Sequence, residues 1–171
     1  INYGTSAKSS DNGQYQYLRM NNITYNGEIE LSDLKYIDLP IDQAKKYIVK
    51  NGDLLFNRTN SKELVGKTAV FKASKEMVIA GYLIRVRTNS KANPDYISGY
   101  LNSNHGKLTL RSMCKSIIGM ANINAQEFQN ITIIIPPIEL QNTYSNIIYQ
   151  VDAQKEQIRL SISKSEELFQ S

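Results

Sequence analysis

Tryptophan is absent from this chain, and cysteine and histidine occur once each, as Cys114 and His105. A structural zinc site takes four Cys or His ligands, so two such residues exclude one. No disulfide can close within the chain, which fits a reducing compartment, and the cytoplasm is the expected location. Long apolar runs are missing too. The stretch 131–138 is interrupted by Thr132, Pro136 and Pro137 and falls far short of a membrane span. No secretory signal stands at the start; the chain opens on Ile1 in mid-pattern, and a piece of something longer is expected. Runs of like charge, which would mark an interaction tail, are also lacking.

What is present points to one globular domain with an appendage: 171 residues, of which 41% are hydrophobic, enough to build a core. A net charge of +4 permits a nucleic-acid partner without demanding one. Tyrosine reaches 11 copies. Its flat apolar ring and hydroxyl suit an interface, although tyrosines are equally ordinary strand and boundary residues.

Punctuation residues divide the chain. Residues 1–13, rich in Gly, Ser, Asn and Thr, read as an extended loop. Residues 15–23 alternate like a strand, and Tyr25-Asn26-Gly27-Glu28 reads as a turn. A short helix is expected after Pro40, and Asn51-Gly52-Asp53 turns the chain into an apolar strand, Leu54-Leu55-Phe56. A polar stretch, 57–62, follows. Further strands are expected at 69–71, 77–80 and 82–87, a helix over 95–103 starting near Asn93 or Pro94, and a buried strand over 131–135 that Pro136-Pro137 ends. Strands with interspersed helices and no βαβ rhythm make an α+β fold: a small mixed β domain with short helices.

From Ile138 the texture changes, since no Gly or Pro occurs again. Tyr144, Ile148, Val151, Lys155, Ile158, Ile162, Ser165 and Phe169 are spaced alternately by four and three, the a/d seam of a coiled coil. A helix over 138–169 would be on the order of 48 Å long, too long to bury its stripe on its own domain. The expected division is therefore a globular domain over 1–137 and a long coiled-coil helix over 138–171. The stripe Tyr144, Ile148, Val151, Ile158, Ile162 and Phe169 wants a partner helix; docking along the domain itself is the alternative.

Catalytic constellations are not found. Gly66-Lys67-Thr68 resembles the end of a phosphate-binding loop, but Ser61 stands where that loop needs glycine, and a strand-like segment follows. A DNA methyltransferase needs a glycine-rich cofactor pocket; the one double proline, Pro136-Pro137, is flanked by Ile135 and Ile138 and offers nothing to hold an exocyclic amine. A metal-dependent nuclease needs convergent carboxylates, and Asp33-Leu34-Lys35 is the nearest approach, without an upstream partner. His105 reads as a solvated loop residue and Cys114 as core filler. No cofactor and no metal are expected.

Three segments carry a family likeness. They are Tyr3-Gly4-Thr5-Ser6-Ala7-Lys8-Ser9 with Tyr17-Leu18-Arg19-Met20-Asn21-Asn22-Ile23; Val49-Lys50-Asn51-Gly52-Asp53-Leu54-Leu55-Phe56-Asn57-Arg58-Thr59-Asn60-Ser61, running on to Val65-Gly66-Lys67; and Gln129-Asn130-Ile131, then Ile135-Pro136-Pro137-Ile138-Glu139-Leu140-Gln141. In this order and spacing the chain resembles the repeat unit of type I restriction–modification specificity subunits. It departs from the family in the stretch Ile117-Ile118-Gly119-Met120-Ala121-Asn122-Ile123-Asn124, where a small-residue and glutamine pattern is usual. The resemblance implies a non-catalytic subunit with two recognition domains held apart by antiparallel helices. It implies modification (methyltransferase) subunits supplying S-adenosylmethionine chemistry, and a restriction subunit supplying ATP-driven translocation and cleavage. One unit is present here, so a second repeat or a copy of the chain would pair with its helix.

The residues are compatible with reading double-stranded DNA, in which side chains reach base edges while phosphate contacts set register. Asn57, Arg58, Thr59, Asn60 and Ser61 follow an apolar strand that would present them rigidly, and Arg and Asn pair bidentately with guanine and adenine. Arg58 reads equally as a phosphate clamp or as an ion-pair partner of Asp53. Lys67 and the 5–9 loop, with Thr5, Ser6 and Lys8, suit phosphates. Arg19 is structural as easily as functional, and Arg111, Lys115 and Ser116 form a second basic segment able to close on a duplex. Two other readings stay open: the recognition lobe of a single-chain methyltransferase or nuclease, and a coiled-coil interaction module with no DNA role.

Overall fold

The computed structural model describes residues 1–117 and 120–170, and side chains except at 115–117 and 170. The strand β5 (Leu54–Asn57) lies inside a four-stranded antiparallel sheet of order β1-β9-β5-β7, with β1 at Asn2–Tyr3, β7 at Thr68–Val70 and β9 at Leu83–Val86. All four β5 residues are buried, because both faces of the strand are covered. Leu54 and Phe56 face a core built with Ile97, Leu101, Leu110, Ile123 and Phe128; Leu55 faces a second core with Leu18, Val49, Phe71 and Ile79. A strand covered on both sides has no polar face, which accounts for the unbroken apolar run.

The second core is closed by another sheet, order β3-β2-β8-β4: β2 at Tyr15–Leu18, β3 at Lys35–Ile37, β4 at Ile48–Val49 and β8 at Met77–Ile79, with β2 and β8 parallel. A third, small sheet joins β6 (Thr59–Asn60) to β11 (Met120–Asn122) and β10 (Lys115–Ile117). The first core is capped by α2 (Pro94–Asn102), α3 (Asn104–Met113) and α4 (Ala125–Gln129), while α1 (Ile41–Tyr47) covers β8. Local chemistry sets the boundaries. The Asn93 carboxamide accepts from the Asp95 N–H at 2.9 Å and Pro94 occupies the first helical position; Asn124 and Glu127 cap α4 reciprocally. Gly52, at φ 87°, makes the turn that donates to the Phe71 carbonyl and lets Asp53 receive Arg87 at 2.7 and 3.1 Å.

The α+β architecture and the long helix match the sequence reading, but four segments differ. His105, read as a loop residue, stands in α3, whose start is capped by the Ser103 hydroxyl accepting from the Gly106 N–H. The strand expected over 15–23 stops at Leu18, and Met20–Asn22 forms a 3₁₀ turn. There the buried Asn22 carboxamide accepts from Arg19 N–H and donates to the carbonyls of Glu30 and Asp33, curling the chain away from the ladder. The polar stretch expected to project after β5 is partly strand, β6. Residues 131–135 form no strand: Ile131 and Ile133 rest on the first core, while Ile134 is 74% exposed and its carbonyl accepts from the Tyr96 hydroxyl at 2.8 Å. A β-branched run becomes a strand only beside a sheet edge that pairs with it.

The long helix α5 spans Ile138–Gln170, roughly 50 Å at 1.5 Å per residue. Its first turns are anchored. Gln141 is fully buried, donates to the carbonyls of Lys91 (3.0 Å) and Pro136 (2.7 Å), and accepts from the Asn93 N–H at 2.8 Å. Ser145 donates to Asp95 at 2.8 Å, and the Tyr144 ring meets Tyr96 edge-on at 5.8 Å, above Gly99, where a Cβ would clash with the Tyr144 hydroxyl. Thus Tyr144 is engaged by its own domain, Ile148 (half-buried) and Val151 line the cleft between α5 and the domain, and the part of the stripe clear of the domain begins further along, at Ile158, Ile162 and Phe169. Gln141→Leu keeps the volume but orphans two carbonyls and an N–H, each worth about 1–3 kcal/mol when buried without a partner. Urea unfolding is expected to show a loss of at least this size; a variant as stable as the parent contradicts the anchoring role.

Candidate nucleic-acid interface

A concave groove of about 500 Å³ opens between the 5–9 loop, Arg19-Met20-Asn21, the Ala80-Gly81-Tyr82 turn and Arg58. The loop is pinned from beneath. Thr5 N–H donates to Ile79 O at 2.9 Å, Gly81 N–H to Thr5 O at 2.7 Å, and the Tyr17 hydroxyl to the same Thr5 carbonyl at 2.9 Å. The Thr5 hydroxyl accepts from Ala7 N–H, so this residue shapes the loop from a buried position while Ser6 and Lys8 face solvent. Gly4 lies so close to the Ala80 carbonyl that a Cβ would stand 2.1 Å from its oxygen.

Three cations, Lys8, Arg19 and Arg58, line the groove, and no carboxylate stands among its lining residues. Arg19 donates to Asp33 at 2.7 Å and to the Asp33 carbonyl at 3.1 Å, which fixes its direction. Arg58 does not pair with Asp53, because Arg87 holds that carboxylate. Its guanidinium instead lies over the Tyr3 ring, 4.9 Å from the centroid. The Arg58 backbone is clamped as well, donating to Tyr82 O at 3.0 Å and accepting from Ile123 N–H at 2.9 Å. Those two bonds link the central sheet to the small third sheet.

The structure thus brings together Thr5, Ser6, Lys8, Arg19 and Arg58, far apart in sequence, and separates other expected residues from them. Asn57 is fully buried, with neither carboxamide atom hydrogen-bonded among the described residues, and does not reach solvent. Lys67 is not the surface cation that its place after Gly66 leads one to expect. It is only 8% exposed, its ammonium donates to Met20 O at 2.9 Å, and burial pushes its pKa down. It ties β7 to the 3₁₀ turn. Thr59 and Asn60 sit half-buried in β6, where the Thr59 hydroxyl meets Asn122 at 3.3 Å; Asn60 accepts from Ser61 N–H at 2.9 Å. Arg111 is exposed on α3 near the Tyr25 hydroxyl, whose ring is covered by Lys107 at 3.4 Å, a second basic face. The Lys115 and Ser116 side chains lie outside the described residues. Tyr17 and Tyr82 line the groove and Tyr3 stands beside it; Tyr3 and Tyr17 open segments that carry the family likeness, but no role was assigned to any of the three in sequence.

Residues 3–164 match the family model described as the type I restriction modification DNA specificity domain. The chain belongs to this family. A Methanocaldococcus jannaschii chain named as the type I restriction enzyme MjaX specificity subunit is 27% identical over 151 residues, covering 86% of this chain and 35% of that one. The Escherichia coli (strain K12) type I restriction enzyme EcoKI specificity subunit is 23% identical over 98% of this chain and 38% of its own length. This specificity domain therefore spans little more than a third of those relatives. A solved structure from work on assembly and conformational transition of the type I R-M system shares the fold, with TM-score 0.60, 16% identity, and coverage of 96% of this chain and 38% of that chain. No helix of the described residues is long and apolar enough to cross a membrane.

Burial, with a smaller effect of Tyr82, pushes the Tyr17 phenol from 10.0 up to about 12. A folded pKa above the unfolded one contributes stability that is complete below pH 10 and lost as pH rises toward 12. Tyr17→Phe removes both the hydroxyl donor and this linkage. The stability gap between parent and variant, read by urea unfolding, is expected to narrow from pH 9 to pH 11.5; a constant gap contradicts the assigned cause.

Proposed function

We propose that this chain is a sequence-reading unit for double-stranded DNA, one recognition domain of a type I specificity subunit, and that it carries no catalysis of its own. In the assembly it directs methyltransferase (modification) subunits, and through the complex a restriction subunit, to a split target. The observation that supports the reading best is the groove itself. It gathers Lys8, Arg19 and Arg58 from three separate segments, on a scaffold fixed by buried hydrogen bonds; Arg19 is paired with Asp33 outside the groove, and no carboxylate lines the groove itself. Phosphates neutralise such cations, and a planar guanidinium held at a fixed place offers the fork that guanine accepts. Family membership supports the same conclusion.

The roles divide by exposure. Lys8 is solvent-facing and suits a phosphate, Arg58 suits a base edge, and buried Lys67 holds the turn that carries Arg19. Lys8→Ala is expected to lower the slope of log affinity against log salt by about one. Arg58→Ala should cost about 1–3 kcal/mol on a duplex selected by the parent from a random library, and much less on unselected DNA. Lys67→Met should leave the slope unchanged, because no phosphate contact is lost, and weaken binding to both duplexes alike through the turn that carries Arg19. Incubation with S-adenosylmethionine, or with Mg²⁺ and ATP, should leave the DNA unaltered. Methyl transfer by the purified chain, or salt-independent binding, overturns the reading.

The exposed stripe of α5 serves pairing with the helix of a second repeat or of another copy. Ile158, Ile162 and Phe169 are uncovered by the domain, and Phe169 is 92% exposed. Ile158→Asp with Ile162→Asp is expected to abolish self-association in sedimentation while leaving the melting temperature of the domain unchanged. A double variant that associates like an oligomeric parent places the seam elsewhere.

A further inference from the structure

We infer that Tyr3 is a positioning residue for base recognition: its ring holds the Arg58 guanidinium in the geometry that reads DNA. The inference rests on the recognition reading above and extends it to a residue outside the groove's lining. Arg58 leaves β5 at the mouth of the groove, and its backbone is fixed on both sides, by Tyr82 and Ile123. A fixed backbone alone does not fix a long side chain. The Arg58 Nε is fully buried and has no hydrogen-bond acceptor among the described residues, so the guanidinium is not steered by a hydrogen bond at that end. What lies against it is the face of Tyr3, 4.9 Å away. Arginine prefers this stacking, which leaves its in-plane N–H groups available to another acceptor.

The ring is itself held. Tyr3 pairs with Ile84 through β1, and its hydroxyl accepts the Ala125 N–H at 2.8 Å at the start of α4. Tyr3 thus spans the sheet edge and the helix cap with the Arg58 guanidinium over its ring. A carboxylate in this position would hold arginine more tightly but would occupy the fork and cancel the charge. An aromatic face orients the cation while leaving both available.

The test uses the whole chain, a randomised duplex library, and affinities for the parent-selected and the unselected duplex at fixed salt. Tyr3→Ala is expected to relax preference at the same base position as Arg58→Ala, by about 3- to 30-fold, the span of a cation–π pair from exposed to desolvated. Tyr3→Phe, which keeps the ring and loses the hydroxyl, should retain the preference. In the Arg58→Ala background, Tyr3→Ala should add nothing at that position. A merely structural role would lower affinity for both duplexes and the melting temperature together. Should Tyr3→Ala destabilise the chain, Tyr3→Leu keeps an apolar side chain on β1 without a π face and should give the same relaxation. Preference lost in Arg58→Ala but kept in both ring-deleted variants overturns the positioning role and leaves recognition standing. Loss in Tyr3→Phe equal to that in Tyr3→Ala assigns the effect to the hydroxyl and also overturns it. A parent that enriches no sequence removes the recognition reading, and this inference with it.

Discussion

The buried carboxamide of Gln141 is the interaction on which the larger architecture depends. It sits where the long helix leaves the domain and is bonded to three backbone groups, from Lys91, Asn93 and Pro136. Any apolar replacement would leave those groups desolvated and unpaired, so the helix cannot swivel there without a penalty of several hydrogen bonds. Ser145 on Asp95 and Tyr144 on Gly99 extend the anchorage by another turn. Beyond them the helix carries its own stripe into solvent. A rigid junction is what allows a helix to set the distance between a recognition surface and whatever binds the helix; a loose one would leave the groove free to wander.

A second constraint organises the groove. Because β5 is covered on both faces, its last residue, Asn57, remains inside, and Arg58 is the first residue to emerge. Buried polar groups then support the emerging one. Lys67 binds the Met20 carbonyl beneath the turn that bears Arg19, and Tyr17 binds the Thr5 carbonyl beneath the loop that bears Lys8. Among the described residues the Lys67 ammonium has one hydrogen-bond acceptor, and burial lowers its pKa, because a charged group loses hydration when it leaves water.

Such buried supports explain how much of the molecule was legible in sequence. Elements with local punctuation were readable: the helix after Pro40, the Asn93-capped helix, the Gly52 turn and the uninterrupted helix after Pro137. Elements defined by distant neighbours were not. The 131–135 run has the composition of a strand but no edge to pair with, and the 15–23 run is ended by a carboxamide network reaching Asp33. In the groove, Lys8, Arg19 and Arg58 could be named from residue type and family likeness. Asn57 and Lys67 look identical to surface contacts until their burial is known. Tyr3 was hidden because its partners, Arg58 and Ala125, lie far along the chain. The heptad spacing was legible throughout, but spacing alone cannot show that Tyr144 is already taken by the domain.

A crystal structure of the chain bound to a duplex selected from random sequence would show directly whether the groove reads DNA. The duplex is expected to lie across the groove, with phosphates near Lys8 and the 5–9 loop and the Arg58 fork on a base edge in the major groove. A duplex bound instead on the Lys107 and Arg111 face of α3, with Arg58 still stacked on Tyr3 and contacting nothing, would contradict this reading of the groove.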